Sequence, residues 1–449
     1  MSSSDPNKRK HYEFILGLVE DAIQFSNPKE FIRENALVLE NRLSIFNFAF
    51  NLDNYKNIYL IAFGKASGPG AEELLRVLKK AVTKGIVVTS HTENLSLPKN
   101  IEIIKAGHPL PNKNSLLAAE KIFKLLESVT EQDLVIFLIS GGGSSLVEYP
   151  ISPITLDDLI ELTTLLLKSG ADINEINCVR KHVSLVKGGK LAKKAHPATI
   201  VSLIISDVVG DRLDVIASGP TVPDPSTFLD AYKILKKYNL WNEVPESVRF
   251  VITQGMKGII EETPKEKDSY FKKVFNFLIG SNRYVLERIH NKAISNNLNS
   301  LVLTCMMRGE AREIAKFVAS IAKEIVETEH PVPKPALLIM GGETTVSVKG
   351  SGRGGRNQEF ALSAAIEIDG YSDIIIASFD TDGIDGLSPA AGAIVSGETV
   401  GKARKNGLSP ESYLENNDSF TFFNNLKGHL IITGPTGTNI NDVVLVLVV

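Results

Sequence analysis

The chain has little of what would tie it to an oxidising compartment, to nucleic acid or to a lipid bilayer. Its 449 residues hold two cysteines, Cys178 and Cys305. That is too few for a disulfide framework and fits a reducing, cytoplasmic setting. Neither sign of charge dominates, with 49 Lys and Arg against 52 Asp and Glu and a net charge of −3. So even a balance offers no basic footprint, and no nucleic-acid partner is expected. Long apolar runs are missing too. The longest, "VVLVLVV" at Val443–Val449, is far short of the roughly 20 residues that span a bilayer, so no membrane partner is expected. Near the N-terminus a basic patch precedes an apolar run, but Glu20 and Asp21 break it and no secretory signal is expected. No internal repeat or low-complexity tract occurs.

What is present is ordinary for a globular protein: 43% hydrophobic and 22% charged residues. The length exceeds what one core usually organises, which predicts two domains. The polar segment "EETPKEKDSYFKK" (261–273) marks their boundary, with domains at 1–265 and 266–449. After a helical region over about 8–47, short β-branched runs alternate with amphipathic ones. Strands are expected at 57–63, 85–90, 101–106, 133–140 and 199–206, and helices near 67–80, 112–128, 156–169 and 174–195. That alternation points to a parallel α/β sheet covered on both faces. It resumes beyond the boundary with "VFNFLIG", "SLVLT", a long helix over 310–329, "ALLIMG", "TTVSVKG", "DIIIASF", "HLIIT" and "DVVLVLVV".

Ligands of open α/β sheets bind outside the carboxyl ends of the strands, and six such ends carry polar or glycine-rich loops. They read "GKAS", "GGGSS", "DVVGDRLD", "GGETT", "DTDGIDG" and "GPTGTN". Together they point to a site between two domains. Lys65 could hold a phosphate or carboxylate at a helix N-terminus, or be a solvated lysine in a turn. It is not part of a Walker A loop, because Tyr59 stands where a glycine is required and Ala66 follows the lysine. Ser140, Gly141, Gly142, Gly143 and Ser144 form a nest of unobstructed N–H groups suited to an anion. Arg180, Ser184 and Lys187 fall on one face of the expected helix, as a ligand-binding or a merely solvated basic stripe. Asp207, Asp211, Asp380, Asp382 and Asp385 sit at strand ends, where a carboxylate can hold a metal, accept a proton or cap its own turn.

The stretch "VKGSGRGGRNQEFALSAAI" (348–366) matches G-x-G-x-x-G through Gly350, Gly352 and Gly355. A dinucleotide fold needs an acidic residue at the end of the next strand, about twenty residues on. Asp369 and Asp373 have that spacing but precede the strand, and Asp380 ends it too late. With Arg353 and Arg356 inside it, the loop reads better as a phosphoryl clamp that also uses Gly352, Gly354 and Asn357.

With these segments in order over about residues 60–442, the chain resembles the class II glycerate kinases (glycerate 2-kinases), whose C-terminal portion is the MOFRL domain. The resemblance rests on "GKAS", "SGGGSS", "VRKHVSLVKGGKLA", "ISDVVGDRLDVIASGPTVPD", "GGETTV", "GRGGRNQE", "DTDGIDG" and "TGPTGTNIND". Arg212 stands where the pattern would have a proline-containing turn. The resemblance implies a Rossmann-like N-terminal domain, a smaller α/β C-terminal domain and an active site in the cleft between them. It implies ATP-dependent phosphorylation of the C2 hydroxyl of D-glycerate, with Mg²⁺ or another divalent cation. Lys65 and Arg353 or Arg356 would then be the catalytically important cations. Asp207 is a candidate base, and Asp207 and Asp382 are candidate metal ligands. The partners are the small molecules themselves, with a homodimer as an assembly to test. Two other classes remain: an NAD(P)-dependent hydroxypyruvate reductase, disfavoured by the misplaced acid, and a non-catalytic sugar-phosphate-binding regulator.

Overall fold

The computed structural model describes residues 6–92 and 95–449. The chain forms two compact units, Pro28–Ile279 and a second made of Met1–Asn27 with Gly280–Val449. The division therefore falls later than the expected 265/266, and the first helix, Pro6–Phe25, belongs with the C-terminal part. The polar segment 261–273, expected to mark the boundary, is packed in part. Thr263 and Pro264 in it are buried, and Lys265 Nζ donates to Asp224 O at 3.0 Å and Thr263 Oγ1 at 2.8 Å.

The N-terminal unit is built on six strands: β1 Asn57–Phe63, β2 Lys84–Thr89, β3 Ile101–Lys105, β4 Asp133–Ser140, β5 Thr199–Ile205 and β6 Val274–Gly280. Their order is β3-β2-β1-β4-β5-β6, and the first five pair in parallel. That is the order of doubly wound nucleotide-binding sheets. β4 and β5 are buried along their whole length, as continuous apolar runs covered on both faces must be. The register sets Phe63 beside Ile139 and Ser140 beside Ile205. The turns after β1, β4 and β5 therefore leave the sheet at one level.

Two expectations fail here for local reasons. Residues 37–51 are not helical but form an antiparallel meander of Leu37–Leu39, Arg42–Ile45 and Phe48–Asn51. Glu40 and Asn41 turn its first hairpin with φ of 48° and 58°, a conformation that Asn adopts more readily than most residues. The helix expected over 174–195 is two helices, Ile173–Val183 and Lys190–Ala195. Asp172 starts the first through a capping box with Glu175. Ser184 ends it in extended backbone, bridged to Pro150. Lys187 is thus off the helix, and the helical face proposed for Arg180, Ser184 and Lys187 does not exist.

The C-terminal unit has a second six-stranded sheet: β7 Asn299–Met307, β8 Ala336–Gly342, β9 Ile374–Asp380, β10 Gly392–Ser396, β11 Leu430–Ile431 and β12 Asp442–Val448. The order is β7-β8-β12-β9-β10-β11. Only β7 and β8 pair in parallel; the other pairings are antiparallel. The apolar run 443–449 supplies the central strand β12, buried throughout. β10 was not foreseen, and the expected strand over 344–350 reduces to one bridge between Thr345 and Glu310. The register sets Asp442 opposite both Gly342 and Asp380, which gathers three chain segments at one end of the sheet. Among the described residues no helix is long and apolar enough to cross a membrane.

Candidate active site

In the N-terminal unit the aligned strand ends bring several expected residues together. Lys65 N–H donates to Gly141 O at 2.8 Å, and Ala66 N–H donates to Ser140 Oγ at 3.1 Å. These bonds join the turn after β1 to the turn after β4. The glycines there make room for functional side chains. A Cβ at Gly141 would lie 1.7 Å from Asp207 Oδ2, so the carboxylate rests on the bare backbone. A Cβ at Gly142 would lie 2.9 Å from the His108 ring and 3.1 Å from Lys65 Cγ. Lys65, His108, the 140–144 turn and Asp207 thus share one sheet edge. His108 is exposed as a residue, yet packing around its ring and the Lys65 charge push its pKa down to about 4. It is therefore neutral at physiological pH.

Beneath this edge lies a buried polar network. Lys187 has no solvent exposure; its Nζ donates to Ser144 O at 2.7 Å and pairs with Glu148 Oε2 at 2.6 Å. Burial lowers its pKa to about 8 against the pull of Glu148. Arg180 Nη2 also donates to Ser144 O, at 3.1 Å, and Ser184 Oγ donates to Glu148 Oε1 at 2.5 Å. Arg180, Ser184 and Lys187 do converge, then, but on Glu148 and on the backbone of the glycine turn. Lys187 supports the anion nest from below and does not line it.

In the C-terminal unit the glycine–arginine loop has partners for most of its backbone. Lys349 and Gly350 N–H donate to Asn417 Oδ1, Ser351 N–H to Asn416 Oδ1, Gly352 N–H to Asn416 O and Arg353 N–H to Asp418 Oδ1. Gly354 O accepts from Leu387 N–H. The helix that follows, Arg356–Glu367, is capped at its positive end by Asp385, which accepts from Asn357 N–H at 3.1 Å and Gln358 N–H at 2.8 Å. Asn357 is buried, and its amide is engaged by Asp442 at 2.8 Å and Ser378 at 2.7 Å. The backbone nest that the glycines advertise is filled by the chain itself.

The two arginines differ. Arg353 is exposed; its Nε donates to Leu387 O at 2.7 Å and its guanidinium lies 4.6 Å from the Phe420 ring centre. Its two terminal nitrogens donate to no group among the described residues. Arg356 instead sits among carboxylates: Nε lies 2.8 Å from Asp442 Oδ2, Nη2 lies 2.6 Å from Asp380 Oδ2 and Nη1 lies 3.4 Å from Glu343 Oε1. Burial alone would lower the Arg356 pKa, but Asp442 and Asp380 outweigh it and raise it. Burial raises Asp442 to about 6 despite Arg356, and burial with the Asp442 charge holds Asp380 well above the ordinary carboxylate range. Asp382 is half-buried and accepts Ile384 N–H through Oδ1 in a local turn.

His108, Glu148, Asn177, Ser218 and Asp442 went unread in the sequence. His108 could have been found, since "GHPLPN" follows a strand as the other polar loops do. Asp442 stands at the start of its strand, not at a carboxyl end where ligand-binding side chains of such sheets are expected. Glu148, Asn177 and Ser218 carry no local signal, because their importance lies in what they touch.

The family described as "Domain of unknown function (DUF4147)" matches residues 14–253, and the MOFRL family matches residues 336–442. A D-glycerate 2-kinase of Thermotoga maritima is 46% identical over 88% of this chain and 92% of its own length. A glycerate 2-kinase of Pyrococcus horikoshii is 44% identical, with 97% of each chain covered. The crystal structure of glycerate kinase from Thermotoga maritima superposes with a TM-score of 0.87 at 42% identity, over 98% of this chain and 100% of that one. Identity of that size over nearly the whole length makes this chain a member of the class II glycerate kinase (glycerate 2-kinase, MOFRL-domain) family.

Proposed function

We propose that this protein transfers the γ-phosphoryl group of ATP to the C2 hydroxyl of D-glycerate, releasing 2-phosphoglycerate and ADP. The observation that carries the reading is the sheet edge where Lys65, His108, the 140–144 turn and Asp207 meet. Phosphoryl transfer asks mainly for positioning and charge stabilisation, and that edge supplies a cation, N–H groups and a carboxylate within one set of turns.

In this reading Lys65 holds anionic oxygens of the substrates. Asp207 accepts the hydrogen bond of the C2 hydroxyl and takes its proton as the new O–P bond forms and the bond to the leaving ADP oxygen breaks. In the C-terminal unit Arg353, anchored through Nε and stacked on Phe420, keeps its two terminal nitrogens for phosphate oxygens. Arg356 and Asn357 hold the loop and sheet end together and take no part in binding.

Mg²⁺ usually keeps one or two protein carboxylates and completes its shell with phosphate oxygens and water. Asp207 and Asp382 each fit that limited demand in their own unit. Asp380 and Asp442 fit it less well, because Arg356 already occupies the place between them. The ion's contribution, when bound, would be neutralisation of phosphate charge.

Incubation with ATP, Mg²⁺ and D-glycerate should yield 2-phosphoglycerate by ³¹P NMR. Exclusive 3-phosphoglycerate, or no ATP consumption, overturns the assignment; NADPH oxidation by hydroxypyruvate without ATP use assigns a reductase instead. Activity unchanged in EDTA removes the metal from the scheme.

A further inference from the structure

Behind the glycine turn, a second turn is held in a conformation that most residues avoid. Ala217, Ser218 and Gly219 are consecutively left-handed, with φ of 49°, 60° and 61°. For the two residues with a side chain this conformation is strained, and it persists only where the surroundings over-determine it. They do so here. Gly188 N–H donates to Ser218 O at 3.0 Å, and Gly189 N–H donates to Gly219 O at 2.8 Å. Gly143 lets the two turns touch, since a Cβ there would lie 2.9 Å from Ala217 Cβ.

The strained conformation places the fully buried Ser218 hydroxyl between two polar groups. Its Oγ lies 2.7 Å from Ser144 Oγ and donates to Asn177 Oδ1 at 2.9 Å. A serine has one proton to give. With that proton directed at Asn177, the hydrogen bond between the two serines must be donated by Ser144. The half-buried Ser144 then keeps only lone pairs for a ligand, while Lys187 and Arg180 fix its carbonyl from below.

We propose that Ser144 is the acceptor for the non-reacting C3 hydroxyl of the substrate, and that Ser218 is the positioning residue that orders its proton. This rests on the glycerate kinase reading and sharpens it. A lone-pair acceptor repels phosphate and carboxylate oxygens, so Ser144 does not belong with the anion-binding residues around it. Its own proton is engaged, so it cannot relay one and does not serve the reacting hydroxyl. It selects for a hydroxy acid that carries a second hydroxyl.

The test compares D-glycerate with D-lactate, which keeps the carboxylate and C2 hydroxyl but lacks the C3 hydroxyl. The readouts are the KM for D-glycerate and the inhibition constant of D-lactate against it. Ser144→Ala should weaken D-glycerate about tenfold, as expected of one lost hydrogen bond, and leave D-lactate within about twofold. Ser218→Ala, with Ser144 intact, should narrow the same preference by a smaller factor, with its fold checked by circular dichroism. Equal weakening of both ligands in Ser144→Ala, or a full wild-type preference in Ser218→Ala, overturns the proposal while leaving the kinase reading intact. No phosphorylation of D-glycerate by the wild-type protein defeats the kinase reading itself, and the proposal with it.

Discussion

The turns after β1 and β4 in the N-terminal unit and the "GSGRGGR" loop in the C-terminal unit look alike in sequence, yet their glycines do different work. At Gly141 and Gly142 the absent Cβ leaves space for Asp207, His108 and Lys65, all side chains able to do chemistry. At Gly352 it leaves space for the main chain of another loop, with Asn416 O 2.5 Å from where a Cβ would stand. One region uses glycine to bring reactive groups close to bare backbone. The other uses it to let two loops cross and to satisfy each other's N–H groups. Glycine content therefore marks close approach in both, and only the approaching group says whether a ligand is served.

The comparison can be broken most sharply at its two cations, the half-buried Lys65 and the exposed Arg353. Lys65→Ala and Arg353→Ala should each lower kcat on the order of 10²–10³, with smaller changes in KM and an unchanged circular dichroism spectrum. Near-normal kcat in Arg353→Ala with only a modest rise in KM would make the C-terminal loop a binding turn and leave it without a role in the chemistry.

The glycines come next. Gly141→Ala should displace the Asp207 carboxylate, and a misplacement of about 1 Å costs on the order of 10² in rate, with the melting temperature near that of the wild type. Gly352→Ala should do the reverse. Its Cβ meets main chain that cannot swing aside, so overpacking of about 1–3 kcal/mol should lower the urea midpoint and leave kcat per folded molecule near normal. If both variants lose activity without losing stability, the distinction between the two regions is wrong.

Arg356→Ala tests the acidic end of the second sheet. It leaves Glu343, Asp380 and Asp442 without their shared cation, a loss of about 3 kcal/mol for a buried pair. The sign with pH follows from Asp442, whose pKa is raised to about 6. A carboxyl raised in the folded state stabilises that state below its unfolded pKa, and the benefit fades as pH rises through 6. Removing Arg356 raises it further, so the variant's deficit in urea melts should grow from pH 5 to pH 8.

The smallest effect concerns His108. Its folded pKa is lowered towards about 4, so the unfolded chain binds this proton first as pH falls. The stability present above about 6.5 is lost as pH drops towards 4. Ring-proton NMR should show the low midpoint, and Lys65→Met should raise it. A midpoint that ignores Lys65 would separate two residues placed here at one edge.

Much of this was legible along the chain. Alternation of apolar runs with capped helices specified the parallel sheet, because burial on both faces demands continuous hydrophobic strands. The polar loops at the strand ends located Lys65, Ser140–Ser144 and Asp207, since a strand's carboxyl end is readable from where its apolar run stops. Residues 37–47 read as helix and fold as part of a meander, because short apolar runs serve either until the turn at Glu40–Asn41 is fixed.

Partners were another matter. Arg353 and Arg356 stand three residues apart in one loop, yet one is exposed and stacked on Phe420 while the other is enclosed by Asp380 and Asp442. Lys187 reads as part of a ligand-binding or solvated basic stripe and is fully buried on Glu148. Ser218 reads as nothing at all, and its neighbours force it into a left-handed turn against Ser144. Local sequence determined which elements form, because propensity, capping and periodicity act over a few residues. Which charges are neutralised, which N–H groups are already taken and which serine keeps its lone pairs were decided by contacts between segments 24–86 residues apart, and only the folded chain makes those.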